Sequence, residues 1–521
     1  MRSEFASPPL APSTSRRSLE GPWRPTRSRR GERGRPPFRF GDEPRERPDH
    51  ARVLPCCVAF SAHGGTEPSE ARSLRPQPLT FCRSNLFDLD LTPIPSKAEA
   101  PTGDPRIERA DRMQLRLESR NLDQLVPDEH RVRALWDAVC RLDLTAFYER
   151  IRARGVTPGR PAIDPRVLIT LWLFATSEGI GSARRLARLC EQHDIYRWIC
   201  GGITVCHRVL SDFRVGHGAA LDGLLTQLLA VLMKAGVVKL KCVAQDGTRV
   251  RASAGAASFR RERSLRKCLQ QAKQQVQALK QQLHADDDQT TDRRRQAARE
   301  RAARDRQQRV EEALQALEEV RESRKKNGKT SEPRASTTDP DARVMKMPDG
   351  GFRPGYNMQL AVDTDSRIVV AARATNSGGD MGQVEPTVEE LERRTGTLPD
   401  DYLVDGGYAK RDSIDTLTEQ GVRVFAPVLT PSKDRDPAKR QRQDSEHVEA
   451  WRTRMDTDEA KKIYKQRCAT VETVNGDLKD HRGLERLRVR GIERVQCVLL
   501  WTVLAYNLMR TFALAPQLMT G

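Results

Sequence analysis

The chain has 521 residues, enough for two or three domains, and it carries a formal net charge of +19 with a sequence pI near 9.7. No run of about 18 apolar residues occurs, so no membrane span is predicted. The eleven cysteines are scattered, which indicates reduced thiols in a cytoplasmic protein. The basic excess favours a polyanionic partner, and charge alone leaves DNA, RNA and acidic membranes open.

Residues 1–105 differ in composition from the rest of the chain. The first fifty positions hold twelve Arg and nine Pro with almost no apolar periodicity, so disorder is predicted. A transit peptide is a weaker interpretation, because such peptides avoid acids and this segment contains several. We expect instead an extension that arises from an over-early start codon.

A helical N-terminal domain is predicted for residues 113–237, because apolar residues recur there at spacings of three and four. Asp164 followed by Pro165 indicates a helix start, with Asp as N-cap and Pro at the first helical position. A further helix is predicted to open at Ser182. Its basic side chains either contact DNA or form an ordinary solvated face, and they are Arg184, Arg185 and Arg188.

The chain then changes to strand patterns. The predicted order is three strands, helix, strand, helix, strand, helix. The predicted strands cover residues 240–246, 356–363, 367–375, 402–405 and 422–428. The predicted helices cover residues 383–394 and 412–419 and a long segment from about Asp458. A turn at Thr364-Asp365-Ser366 would join the second and third strands.

An insertion over residues 252–340 separates the first two strands. Two heptad seams within it predict an antiparallel helical hairpin, a coiled coil, over residues 259–324, with its turn at Asp286-Asp287-Asp288 and a basic linker at 325–329. The first seam is Leu265, Leu269, Ala272, Val276, Leu279 and Leu283, and the second is Val310, Leu314 and Leu317. The outer faces either lie along DNA or form a solubilising surface, and their basic residues include Arg260, Arg261, Arg263 and Arg266.

Three acids stand out as candidate metal ligands. Asp246 and Asp405 each follow a short apolar run and precede glycine, which predicts a strand that stops and turns. Glu472 lies in the long C-terminal helical segment. Acids at strand ends are placed to hold a cation, and in so basic a chain a metal-binding carboxylate cluster indicates phosphodiester chemistry on a nucleic acid.

With these motifs in this order, the chain resembles the DDE transposases of bacterial insertion sequences, in the branch with a helical N-terminal domain and an RNase H-like catalytic domain. The resemblance runs from about Met113 to about Phe512. The motifs that carry it are Gly159-Arg160-Pro161-Ala162-Ile163-Asp164-Pro165, Arg197-Trp198-Ile199-Cys200-Gly201-Gly202, Leu210-Ser211-Asp212-Phe213-Arg214, Ala244-Gln245-Asp246-Gly247, Val404-Asp405-Gly406-Gly407, Tyr464-Lys465-Gln466-Arg467 and Ala505-Tyr506-Asn507-Leu508-Met509-Arg510.

The fold that the resemblance implies is α/β. An RNase H-like mixed sheet would form the catalytic core over residues 238–515, with an all-α N-terminal domain and an inserted helical hairpin. In such a core the first and fourth strands are neighbours. Asp246 and Asp405 would therefore end adjacent strands, and a helix packed on the sheet would bring Glu472 to the same point.

The implied activity is that of a metal-dependent transposase, which cuts and joins the ends of its own insertion sequence. Asp246, Asp405 and Glu472 would hold two Mg²⁺ ions about 4 Å apart, with Mn²⁺ as a substitute. At 100° per residue Lys479 shares the face of Glu472 and would contact a phosphate. Arg467 precedes Glu472 by five residues where many relatives have four, so its phosphate contact would need a locally overwound helix.

The implied partner is double-stranded DNA, as terminal inverted repeats and as target DNA. The helical domain would bind the repeats, and a dimer is expected in the DNA complex because two element ends are cut together. The expected location is the cytoplasm, in association with the nucleoid. The alternative is a transposase-derived DNA-binding protein that no longer cuts and serves as a repressor or scaffold.

Overall fold

The computed structural model describes residues 119–155, 160–285, 290–326, 328, 330–428 and 441–518. The predicted disorder of residues 1–105 and the predicted turn at Asp286-Asp287-Asp288 lie outside the described residues. The described residues form a mixed α/β structure with a curled mixed sheet and many helices.

The described α-helices up to Lys326 are α1 (Arg131–Arg141), α2 (Thr145–Tyr148), α3 (Pro165–Ser177), α4 (Ala183–Gln192), α5 (Asp194–Cys200), α6 (His207–Gly216), α7 (Gly218–Lys234), α8 (Glu262–Ala285) and α9 (Thr290–Lys326). Those that follow are α10 (Val384–Thr395), α11 (Arg411–Glu419), α12 (Glu446–Asp456), α13 (Asp458–Tyr464), α14 (Thr473–Asp480) and α15 (Ile492–Leu514). The described strands are β1 (Cys242–Arg251), β2 (Phe259–Arg260), β3 (Ala335–Ser336), β4 (Arg343–Lys346), β5 (Phe352–Asp363), β6 (Val369–Thr375), β7 (Asp401–Leu403) and β8 (Arg423–Phe425).

The helix starts predicted at Asp164-Pro165 and at Ser182 are both confirmed. The Asp164 side chain accepts a hydrogen bond from the backbone N–H of Arg166, and Pro165 opens α3. Ser182 caps α4 in the same way through the N–H of Arg185. Side-chain caps satisfy N–H groups that have no partner within the helix, so these boundaries follow from local sequence.

The helices before β1 share one hydrophobic core with the sheet. Helix α15 is the link, because it packs against α3, α6 and α7 and also against β6. Among the described helices, α15 by itself is long and apolar enough to cross a membrane, but 72% of its apolar stretch is buried inside the protein. Helices α6 and α7 reach that length and apolarity only if the two, which are bent by 68°, are counted as one segment. Burial of this kind is what the core helix of a folded domain requires.

The main sheet of the described chain has β1 at its centre. Strand β1 pairs antiparallel with β5 and parallel with β7, and β8 continues the parallel part beyond β7. Strands β6 and β4 both pair antiparallel with β5. The predicted neighbourhood of the first and fourth strands is therefore confirmed, as is the hairpin between the second and third.

The predicted end of the first strand at Asp246 is wrong. Strand β1 continues to Arg251, and Gly247 is paired with Gln359 inside the sheet. A Cβ atom at Gly247 would lie 2.5 Å from Gln359 Nε2 and 2.6 Å from Asp380 Oδ1. Glycine is required here because other side chains approach the backbone closely, and not because the chain turns.

The predicted long helix from Asp458 is also interrupted. A π-helical segment, Cys468–Glu472, separates α13 from α14. A π segment accommodates one more residue per turn than an α-helix, so it is wider and underwound. This shifts the angular position of every residue that precedes it relative to α14.

The predicted helical hairpin is formed by α8 and α9. The helices are antiparallel, because Glu262 pairs with Arg321 while Lys273 pairs with Glu311. Leu265 and Leu317 are fully buried at its base. Strands β2 and β3 pair antiparallel beneath it. Helix α9 runs to Lys326 and so includes the first two residues of the predicted linker.

Candidate active site

Asp246 projects from the middle of β1 toward α14. Its side chain is 23% exposed, and Asn475 Nδ2 donates a hydrogen bond to its Oδ2 at 3.1 Å. Burial raises the pKa of this carboxyl, while Arg467 and the N–H of Gly247 oppose that shift. Asp246 is thus a carboxylate in a partly desolvated position, where it gains most from a nearby positive charge.

Asp405 lies beside Asp246 because β7 is the parallel neighbour of β1. The register pairs Ala244 with Leu403, so Asp246 and Asp405, each two residues further along, reach the same part of the sheet. The backbone N–H of Val404 donates to Phe425 O of β8 and fixes the exit of the chain. The Asp405 side chain is 58% exposed. One carboxylate is therefore largely buried and the other faces solvent.

Arg467 bridges the two aspartates. Its Nη2 atom is 3.9 Å from Oδ1 of Asp246 and 3.9 Å from Oδ1 of Asp405, and its side chain is only 8% exposed. Its buried Nε has no hydrogen-bond partner. The π segment that begins directly after Arg467 sets its angle, so the predicted requirement for an overwound helix is wrong: the helix is underwound instead.

Lys479 also faces this site from α14. Burial lowers the pKa of its ammonium group, and the negative charge of Asp246 acts in the opposite direction. Among the described residues its ammonium has neither a hydrogen bond nor an ion pair, so it can accept an anionic ligand.

Glu472 is placed differently from the two aspartates. Its side chain is exposed at the end of the π segment. Burial, and after it the negative charge of Glu472, raise the pKa of the Cys468 thiol. Within the described parts of the chain, no three His, Cys, Asp or Glu side chains lie close enough together to hold one metal ion. The structure brings Asp246, Asp405 and Arg467 together, and it leaves Glu472 exposed and outside that group.

Asn475 is a site residue that the sequence interpretation did not single out. Its Oδ1 is buried and has no hydrogen-bond partner, while its amide nitrogen holds Asp246. Its place three residues after Glu472 in the sequence was the available signal. Two carboxylates and an amide oxygen without a donor form the oxygen-rich set that a hard divalent cation prefers, so these residues fit such an ion.

A buried network on the opposite face of β1 holds the strands that carry the aspartates. Gln245 Nε2 donates to Gln359 Oε1 at 2.9 Å, and the Tyr402 hydroxyl donates to Gln245 Oε1 at 2.7 Å. The Tyr408 hydroxyl donates to Gln359 Oε1 at 2.8 Å, and Gln359 Nε2 donates to Asp380 at 3.1 Å. These bonds connect β1, β5 and β7, so a shift in strand register would leave buried polar groups unpaired.

The other predicted DNA contacts lie on two further elements. Arg184, Arg185 and Arg188 are exposed on α4. At the base of the hairpin Arg260 is exposed, whereas Arg261 is paired with Glu332 at 3.0 Å. These side chains make no contact with either aspartate among the described residues.

Two family models match the chain. The model described as "Transposase DDE domain" matches residues 332–508, which contain Asp405, Arg467, Glu472 and Lys479. The model described as "Transposase domain (DUF772)" matches residues 120–215, which contain α1 to α5 and most of α6. No curated protein and no solved structure gives a significant match.

Proposed function

The chain belongs to the DDE-type insertion-sequence transposases, and from this premise we propose that it is a metal-dependent nuclease and strand transferase that cuts and joins the ends of its own element. The observation that carries the proposal is the pair Asp246, on β1, and Asp405, just after the adjacent parallel strand β7, with Arg467 Nη2 at 3.9 Å from each. Carboxylates converge in this way where a divalent cation or another strong positive charge is to be held.

The strand order supports an RNase H-like core. Strands β6, β5, β1, β7 and β8 follow one another across the sheet, with the three-stranded antiparallel part first in sequence and the parallel part second. Helix α10 packs on β6 and α11 on β8. Asp246 then belongs to the first strand of that core and Asp405 follows its fourth.

Asp246, Asp405 and Glu472 would hold two Mg²⁺ ions, with Mn²⁺ as a substitute. When bound, such ions activate water or a 3′-hydroxyl and stabilise the departing oxygen of the phosphodiester. Glu472, whose side chain is exposed, would turn toward the two aspartates for this role. Asn475 would keep Asp246 oriented through its amide nitrogen.

The basic residues at the site would position the DNA. Once a cation offsets the charge of the two aspartates, the buried guanidinium of Arg467 is available to a substrate phosphate. Lys479, which has no described partner, would hold a second phosphate as a point charge. Together they would align the scissile bond with the carboxylates and screen its negative charge.

The substrate in this proposal is double-stranded DNA, namely the terminal inverted repeats and the target. Arginines of α4 and of the hairpin base would contact its backbone, and two copies of the chain would hold two element ends. The protein would act in the cytoplasm at the nucleoid.

The test is a cleavage and strand-transfer assay of the full chain on a linear DNA duplex that carries the element end. The sequence of that end is taken from the inverted repeats that flank the coding region. Product should form with Mg²⁺ or Mn²⁺ and should be lost with a chelator. Binding of this duplex without cleavage in either metal would overturn the proposal in favour of a silent DNA-binding protein that acts as a repressor or scaffold.

A further inference from the structure

We propose that Arg214 and Arg488 together form a binding site for a backbone phosphate of DNA, at the junction between the helical region and the catalytic sheet. The inference rests on the proposed function for the identity of the polyanion. It adds a contact to those on α4, on the hairpin and beside the aspartates.

Arg214 is held rigidly by its surroundings. Its Nη1 donates to Gly181 O at 2.7 Å, and its guanidinium carbon lies 4.7 Å from the centre of the Trp172 ring. Its own backbone oxygen accepts a hydrogen bond from Trp501 Nε1 at 3.0 Å. A guanidinium fixed in this way loses little conformational entropy when it binds a ligand.

Arg488 brings a second positive charge to the same place. A Cβ atom added to Gly181 would lie 3.8 Å from Arg488 Nε and 3.9 Å from Arg214 Nη2. The two guanidinium groups therefore both approach one position where the chain has no side chain. The missing side chain leaves room for a ligand oxygen between them.

Neither guanidinium is neutralised within the described structure. No described carboxylate forms an ion pair with Arg214 or Arg488, and Arg214 Nε is buried without a hydrogen-bond partner. Burial, and secondarily the charge of Arg488, lower the pKa of Arg214 to about 10, so it stays protonated at neutral pH. Two adjacent cations without a counter-ion, one of them largely buried, are unfavourable unless an anion binds. The planar fork of each arginine matches the oxygens of a phosphate.

The place of this site in the fold points to DNA as the source of the phosphate. Leu487, next to Arg488, donates its N–H to Arg251 O at the end of β1. Arg251 is five residues from Asp246 along that strand, roughly 17 Å at 3.3 Å per residue. The length of β1 between Asp246 and Arg251 therefore corresponds to roughly five base-pair steps of DNA at 3.4 Å each.

On its other side the site adjoins α4. Gly181 precedes Ser182, the N-cap of α4, and the exposed Arg184 and Arg185 follow. A duplex that reaches both the aspartates and α4 would pass over Arg214 and Arg488.

The experiment measures the salt dependence of binding to a fluorescein-labelled DNA duplex of random sequence by anisotropy. For Arg488→Ala the slope of log K against log salt should fall in magnitude by about 0.9, the value for one lost phosphate contact. Arg393→Ala is the matched control, because Arg393 is exposed, equally charged and already paired with Asp222 at 2.9 Å. Its slope should equal that of the unmodified chain.

A second variant distinguishes the loss of a phosphate contact from a folding defect. Gly181→Asp places a carboxylate between the two guanidinium groups, so the thermal transition should rise while the salt slope falls as in Arg488→Ala. If the slope of log K against log salt is unchanged in either variant, the phosphate site is overturned. The proposed function still stands in that case, provided that the duplex is bound. If the unmodified chain does not bind the duplex even at low salt, both proposals fall.

Discussion

Arg467 Nη2 lies 3.9 Å from Asp246 Oδ1, although the two residues are on a C-terminal helical segment and on the central strand of the sheet. Arg467 acts as an internal counter-ion for a carboxylate whose burial would otherwise favour its protonation. A divalent cation at the same carboxylate competes with this guanidinium.

Replacement of Arg467 by glutamine tests that competition. Without metal, Arg467→Gln should lower stability by roughly 1–3 kcal/mol, because the buried Asp246 loses its charged partner. Added Mg²⁺ should raise the thermal transition of the variant more than that of the unmodified chain, since the competing cation is gone. Differential scanning fluorimetry with and without Mg²⁺ measures both effects. Arg454→Gln is a control, because Arg454 is a half-buried arginine that stacks on Phe425 and forms no described ion pair with either aspartate. The same Mg²⁺ response in both variants would contradict the prediction.

Asp405→Asn should abolish DNA cleavage and leave DNA affinity nearly unchanged. An amide is a poorer ligand for a hard cation than a carboxylate, whereas affinity for the duplex depends mainly on Lys and Arg. Cleavage and binding are measured on the same element-end duplex. Asp412→Asn is the matched control, because Asp412 is exposed and pairs with Lys410. Normal cleavage by Asp405→Asn would remove this residue from the site.

Gly247, directly after Asp246, and Gly407, two residues after Asp405, should respond differently to replacement by alanine. Gly247→Ala should destabilise the protein by about 1–3 kcal/mol, because the new methyl group would overlap Gln359 and Asp380. Gly407→Ala should be nearly neutral, since nothing lies within 4 Å of its added Cβ. Urea denaturation of both variants checks this contrast, and equal stabilities would show that Gly247 does not have the close contacts described.

The helical hairpin should open without unfolding the sheet. Val276→Asp places an unpaired carboxylate in the buried seam, which costs several kcal/mol. Circular dichroism should show lost helix, and duplex binding should become weaker and less dependent on salt. Gln274→Asp adds the same charge at an exposed position and is the control. If helix is lost while affinity and salt slope are retained, the hairpin is a structural insertion that does not contact DNA.

Asp339 should make stability depend on pH. Its fully buried carboxyl accepts hydrogen bonds from the Tyr356 hydroxyl at 2.7 Å and from the Gly491 N–H at 3.0 Å, and burial raises its pKa above 3.8. A raised carboxyl pKa favours the folded state at low pH, and that contribution is lost as pH rises from about 4 through the folded value. Asp339→Asn should therefore gain stability relative to the unmodified chain between pH 4 and pH 7. Thermal transitions at the two pH values measure the difference, and a constant offset would contradict it.

Local sequence was sufficient for the helix starts at Pro165 and Ala183, for the β5–β6 hairpin and for the pairing of α8 with α9. Caps, turn residues and heptad spacing act over a few residues, so each can be recognised without the rest of the chain. The ordered motifs also identified the family, which the two family matches confirm. The adjacency of β1 and β7 followed from that family and not from any local pattern.

Tertiary structure alone decided the points that depend on distant partners. Gly247 continues a strand because Gln359 and Asp380 approach it from other elements, although Asp-Gly is locally a turn signal. The same dependence brings Arg488 beside Gly181 and Asn475 onto Asp246. Periodicity shows which face of a helix is apolar. It does not show whether the five-residue spacing between Arg467 and Glu472 is accommodated by a loop, a kink or a π segment. The structure has a π segment directly after Arg467, and the Arg467 guanidinium lies between two carboxylates from distant parts of the chain.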